Sequence, residues 1–249
     1  MDLGLQGRVA LVTGAGRGIG AAIARALAAE GCDVALVELT ADGPVQGVAE
    51  EIRGLGRRAQ SFICDVRDFD AAGSVVEGVV RELGGLHVLV CNAGIARDAV
   101  SWKMSEADWD DVLDVNLKGC FNFVRAAVPA LREAGWGRVV AVSSINGLRG
   151  KFGLANYAAS KAGLVGLAKS LARELGAFGV TVNVVAPGMV LTDMVRSLPD
   201  DVLEVARCEA VTGRLAEPSE VASAVTFLCS QAAASITGET LRVDGGQYV

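Results

Sequence analysis

RVALVTGAGRGIGAAIARALAAEG, residues 8–31, changes its period half-way. The first part is a short apolar run with little polar alternation, the pattern of a β-strand covered on both faces. The last part, IGAAIARALAAEG, is a helical pattern that closes on Gly31 as a helix C-terminus does. Between them lies TGAGRGIG, Thr13 to Gly20, with Arg17 and Ile19 among its glycines. In such a turn Gly14, Gly18 and Gly20 let the backbone approach a pyrophosphate, and the helix start supplies free N–H groups and a positive dipole end. Glycines alone are weak evidence; placed between an apolar strand and an amphipathic helix of a βαβ unit, they point to a dinucleotide site.

The same alternation runs outward from this stretch. Apolar, Val-rich runs recur as RVALVTG, DVALVE, QSFICDV, HVLVCNAG, RVVAVSS, VTVNVVAPG and TLRVDGG, with helical patterns between them. Strand and helix in alternation imply right-handed crossovers and a doubly wound α/β sandwich of the Rossmann type, with a seven-stranded parallel sheet between two helical layers. The 249 residues show no repeat and no Pro/Ser-rich linker, so one domain spanning 1–249 is expected. Residues 188–217 read as neither strand nor regular helix, and their length makes them a candidate substrate lid.

A net charge of −6 gives no basic footprint, which disfavours nucleic acid and anionic membrane as partners. Mean hydropathy is positive at +0.40, yet no apolar stretch is long enough to span a bilayer. The first residues lack the basic, apolar and cleavage segments of a signal peptide, so a cytoplasmic location is expected. The six cysteines are scattered without CxxC pairs and read as small hydrophobes in a reducing compartment. His87 is the only histidine, and at the start of an apolar run it reads as structural; a histidine-built metal site is not expected.

Glu38 ends DVALVE, eighteen residues past Gly20, where a carboxylate can accept hydrogen bonds from the adenosine ribose. It would repel a 2′-phosphate, which favours NAD(H) over NADP(H). Arg17 argues the other way, since a basic residue in the turn can pair with that phosphate; a solvated loop acid is the plain alternative for Glu38.

Tyr157 and Lys161, in NYAASKAG, lie four apart and share a helix face. Such a pair gains meaning from Ser144, thirteen residues upstream at the end of RVVAVSS, the sheet edge at which ligands bind. Interconverting an alcohol and a ketone needs a group that takes and returns the hydroxyl proton. A free phenol titrates near 10, about 4 kcal/mol from neutrality, and an ammonium about 4 Å away at an effective dielectric near 20 supplies about that much. Lys161 is therefore expected to lower the pKa of Tyr157, with Ser144 holding the substrate oxygen.

The Gly-x-x-x-Gly-x-Gly turn together with Ser144, Tyr157 and Lys161 resembles the short-chain dehydrogenase/reductase family, over nearly the whole chain. CNAG (Cys91 to Gly94) is similar to the family's Asn-Asn-Ala-Gly, with Cys91 in place of the first Asn and with Asn92, Ala93 and Gly94 kept. The resemblance implies that Asp65 and Val66 contact adenine and that Pro187, Gly188, Val190 and Thr192 contact nicotinamide. It further implies that Lys161 binds the nicotinamide ribose and that Asn116 kinks its helix and relays protons as a fourth catalytic residue.

INGLRGKFGLANYAASKAG is most similar to bacterial 3-oxoacyl-thioester reductases of the carrier-protein and acetoacetyl-CoA types. Gly135 and Phe178 stand where the carrier-protein enzymes often have docking arginines, so a small or CoA-linked β-keto substrate is expected. The alternatives are a secondary-alcohol or sugar/polyol dehydrogenase and a non-catalytic dinucleotide sensor. Leu148, Phe152, Leu154, Met189 and Met194 are candidates for an apolar pocket wall, or for core packing. Two long helices with apolar residues around much of their circumference, and the family's habit, suggest a homotetramer.

Overall fold

The computed structural model describes residues 2–41 and 43–249. Seven strands, β1 (Val9–Thr13), β2 (Asp33–Glu38), β3 (Ala59–Ile63), β4 (Val88–Cys91), β5 (Gly137–Val142), β6 (Val180–Pro187) and β7 (Thr240–Val243), form one sheet in the order β3-β2-β1-β4-β5-β6-β7. Every neighbouring pair is parallel. The order reverses between β1 and β4, so the connections leave in opposite directions and open a crevice at the carboxyl ends of the strands.

Helices α1 (Gly18–Ala29) and α2 (Val45–Gly54) cover one face, α3 (Phe69–Leu83) the other. After α4 (Glu106–Leu113) the chain passes through a π-helical turn, Asp114–Lys118, into α5 (Gly119–Glu133). Short α6 (Asn146–Arg149) precedes the long α7 (Ala155–Leu175), and α10 (Pro218–Cys229) returns to the α1 face. The central strands are apolar on both sides because both are covered: β1, β4, β5 and β6 are buried at every position. Phe123, Leu131, Leu164 and Val182 belong to the core on one face; Ile23, Leu27, Ile52 and Val225 to that on the other.

Residues 188–217 are more regular than expected from sequence. They contain α8 (Asp193–Arg196) and α9 (Asp200–Glu209), held by a small core of Leu203, Ala206 and Leu215 with Met189, Leu191 and Val195 packed against it. The helices are short and their apolar positions few, which is why no period was visible. His87 is structural: its Nδ1 accepts from the Val9 amide at 3.1 Å, and burial together with Arg8 lowers its pKa. No helix among the described residues is long and apolar enough to cross a membrane.

Candidate active site

A cleft of about 1480 Å³ runs along the carboxyl edge of the sheet. Single small-molecule pockets usually reach about 1,000 Å³ at most, so this one has room for two ligands end to end. Gly14, Arg17, Gly18, Ile19, Gly20, Glu38, Asp65, Val66, Asn92, Ala93, Gly94, Ser144, Tyr157, Lys161, Pro187, Gly188, Val190 and Thr192 all line it. Residues scattered over most of the sequence meet there because most of them stand at or just past the end of a parallel strand, while Tyr157 and Lys161 reach it from α7.

The glycine turn is held from beneath by β4. Asn92 Nδ2 donates to the carbonyls of Thr13 and Gly14, both at 3.0 Å, and the Thr13 hydroxyl accepts from the amides of Asn92 and Ala93 at 3.0 and 3.1 Å. A Cβ at Gly20 would lie 2.0 Å from the Gly14 oxygen and 2.5 Å from Asn92 Nδ2, so helix, turn and strand pack this closely only with glycine there. Arg17 precedes α1 without capping it through its side chain, and the first amides of a helix have no partner within it. Donors and dipole thus face the cleft, as a pyrophosphate requires. Glu38 Oε1 accepts from the Gly16 amide at 2.9 Å and Oε2 from Leu39 at 3.2 Å, which fixes the carboxylate over the turn. Asp65 is bound by Arg67 at 2.7 Å, and that guanidinium beside it holds its carboxyl below the usual range. The Val66 carbonyl is fixed by Asn122 Nδ2 at 2.9 Å. These residues suit a dinucleotide: free amides for phosphate at the centre, a carboxylate for ribose hydroxyls beside them, and an apolar wall at Val66.

At the other end stand Ser144, Tyr157 and Lys161. Ser144 follows β5, and its Oγ accepts from the Asn146 amide at 3.1 Å. Lys161 is buried, its Nζ donating to the Val142 carbonyl at 2.8 Å and lying 5.6 Å from the centre of the Tyr157 ring. Lysine and tyrosine therefore share one helix face. Burial, however, works against a lowered phenol pKa. Burial pushes the Tyr157 phenol above its ordinary value, the Ser144 hydroxyl pulls it part of the way back, and Asp98 adds to the rise. The Lys161 ammonium, bound to a backbone carbonyl, is itself desolvated, with its pKa pushed down to about 8.

Asn116 does not line the cleft. It is 1% exposed, in the π-helical turn; Oδ1 accepts from the Ile95 amide at 2.8 Å, and Nδ2 donates to the Ile95 carbonyl and to Ser160 Oγ, both at 3.0 Å. Ser160 in turn donates to the Tyr157 carbonyl at 2.8 Å. A Cβ at Gly94 would lie 3.2 Å from both Asn116 Oδ1 and Lys161 Nζ, so a side chain at this position would press on both.

Of the five apolar wall candidates, Leu154, Met189 and Met194 line the cleft. Leu148 and Phe152 do not; Phe152 is 83% exposed on a loop turned to solvent. The wall also includes Arg97, Asp98, Asn146, Arg149, Lys151, Glu209 and Gln247, none of them anticipated. They come from loops, from the ends of α6 and α9 and from the segment after β7, where no short-range pattern marks a residue as facing a site. Thr13 was quoted with the turn but given no role, since nothing local shows that its hydroxyl ties β1 to β4.

The family model described as enoyl-(acyl carrier protein) reductase matches residues 14–247. The 3-oxoacyl-[acyl-carrier-protein] reductase FabG of Escherichia coli (strain K12) is 43% identical over 247 residues, covering 99% of this chain and 100% of the relative. The protein of that name from Staphylococcus aureus (strain N315) is 43% identical over 240 residues, 96% of this chain and 98% of its own. The crystal structure of a Sinorhizobium meliloti 1021 protein described as a short-chain alcohol dehydrogenase superposes with a TM-score of 0.95 at 38% identity, covering 99% of this chain and 98% of that one.

Proposed function

Because this chain belongs to the short-chain dehydrogenase/reductase family, NAD(P)-dependent oxidoreductases acting on CH–OH groups, we propose that it reduces a small or CoA-linked β-keto compound to the 3-hydroxy product, with NADH preferred. The observation that carries this reading is the cleft, with the glycine turn and Glu38 at one end and Ser144, Tyr157 and Lys161 at the other. The nicotinamide, when bound, supplies the hydride. Ser144 donates a hydrogen bond to the ketone oxygen, and Tyr157 gives that oxygen its proton as the alkoxide forms. A phenol raised by burial is fully protonated at neutral pH, the form an acid needs in the reductive direction. Lys161 keeps a positive charge behind the phenol up to about pH 8, and Asn116, through Ser160, positions the backbone of Tyr157. Residues Pro187, Gly188, Val190 and Thr192 form the nicotinamide side, with α8 and α9 as the substrate lid of a single domain.

The carrier-protein substrate of the FabG relatives is disfavoured because neither Gly135 nor Phe178 carries a charge for an acidic partner to grip. Initial rates on acetoacetyl-CoA with NADH and with NADPH test the proposal. Turnover with NADH the faster is expected; absence of turnover with either coenzyme eliminates the thioester. The polar wall formed by Asn146, Asp98 and Lys151 favours a second reading, oxidation of a secondary alcohol, which the reverse assay with NAD and a hydroxy compound distinguishes.

The outer groove between α5 and α7, about 640 Å³, exposes Phe121 and is lined further by half-buried Phe178 and Val128. It suits packing against a second copy, and a homotetramer is proposed on that ground. Light scattering at micromolar concentration should return four times the 25.6 kDa chain mass; a monomer contradicts it.

A further inference from the structure

We infer that Gln247, in the segment after β7, is a positioning residue that latches the substrate-side wall of the cleft to the sheet, an inference that rests on reading this cleft as the active site. Gln247 is only 8% exposed, and both ends of its amide are used. Oε1 accepts from the Met189 amide at 2.7 Å, directly after the strand end that carries Pro187 and Gly188. Nε2 donates to the Ala206 carbonyl at 2.9 Å, in the last turn of α9. That carbonyl has lost its helical partner, because the Ala210 amide turns back to Arg207; the glutamine amide supplies the missing donor. One side chain therefore ties both the start and the far end of residues 189–209 to the sheet edge.

The neighbouring geometry is shaped around it. A Cβ at Gly188 would lie 2.1 Å from Gln247 Oε1, so the side chain occupies space that only glycine leaves free. Arg149, at the end of α6 on the Ser144 side, donates to the Gln247 carbonyl and to Glu209 Oε2, each at 2.9 Å. The three segments that enclose the substrate end thus converge on this residue and its backbone. An apolar side chain of similar size there would leave the Met189 amide and the Ala206 carbonyl buried without partners, so the wall would open to hydrate them.

Kinetics of Gln247→Leu and Gln247→Glu test the latch. In Gln247→Leu, KM for the ketone is expected to rise about tenfold, a larger change than in NADH affinity, read by fluorescence, because the glycine turn and Glu38 are untouched. Gln247→Glu keeps the acceptor for Met189 but sets a carboxylate against the Ala206 carbonyl at neutral pH. On acidification the protonated carboxyl regains a donor, so its KM should return toward wild type as pH falls through the glutamate range, a pH response absent from wild type and from Gln247→Leu. Equal KM values in all three proteins with no acid-side recovery would overturn the inference. Hydrogen exchange separates it from the proposed function: faster exchange in 189–209 for Gln247→Leu supports the latch even if wild type reduces no thioester, and unchanged exchange refutes it.

Discussion

Tyr157→Phe is expected to lower kcat about a thousandfold, within the range that a positioned acid or base contributes, and to leave coenzyme affinity nearly unchanged. The substitution removes one oxygen atom and keeps the ring that packs against Lys161. No other side chain is placed to take over, since Ser144 has a hydroxyl that does not ionise in the working range and Lys161 is turned to the Val142 carbonyl. Single-turnover kinetics with a fluorescence titration of NADH separates the two effects. A rate within a few-fold of wild type would remove Tyr157 from the chemistry and revive a role as a dinucleotide sensor. The pH profile carries a second signature. Lys161 is lowered to about 8 and Tyr157 is raised, so as pH rises the ammonium loses its charge first. Reduction should therefore decline through about pH 8 while the phenol is still protonated, and Tyr157→Phe should abolish the rate without restoring a different limb.

Wild type is expected to favour NADH over NADPH by about a hundredfold in kcat/KM, and Glu38→Gln should bring the ratio close to one. At a half-exposed position a carboxylate and a phosphate carrying almost two charges repel by about 2–3 kcal/mol over a few ångströms, roughly a hundredfold. Gln is the informative replacement because its amide oxygen can still accept from the Gly16 amide, the bond that Glu38 Oε1 now receives. Glu38→Ala removes both charge and bond, so any excess loss of NADH turnover in Ala over Gln measures the geometric share. Once the carboxylate is neutralised, Arg17, which lines the same end of the cleft, is free to attract the phosphate. Wild type turning over NADPH faster than NADH would show that Arg17 outweighs Glu38 and would sink this assignment.

Both variants act on residues that were readable without coordinates, because the signals were local. The Gly14-Gly18-Gly20 turn, the acid closing β2 and the Tyr157–Lys161 spacing each fall within a few residues, and a parallel strand presents its ligand groups just beyond its end. Seven apolar runs in alternation with helices were enough for the sheet, since buried parallel strands have no polar face to blur the pattern.

What the chain alone determined was therefore the sheet, its crevice and the residue types at the crevice edge, all of them consequences of short-range period and of parallel pairing. Only the tertiary structure decided how their charges interact: the Lys161 ammonium meets the Val142 carbonyl at 2.8 Å and lies 5.6 Å from the Tyr157 ring, and the desolvation of both depends on everything packed around them. The same holds for Gln247, Arg149 and Thr13, and for Phe152, a pocket-wall or core candidate by sequence that the fold turns outward. Their partners lie tens of residues away, and no local pattern encodes a hydrogen bond between segments that meet only once the sheet is complete.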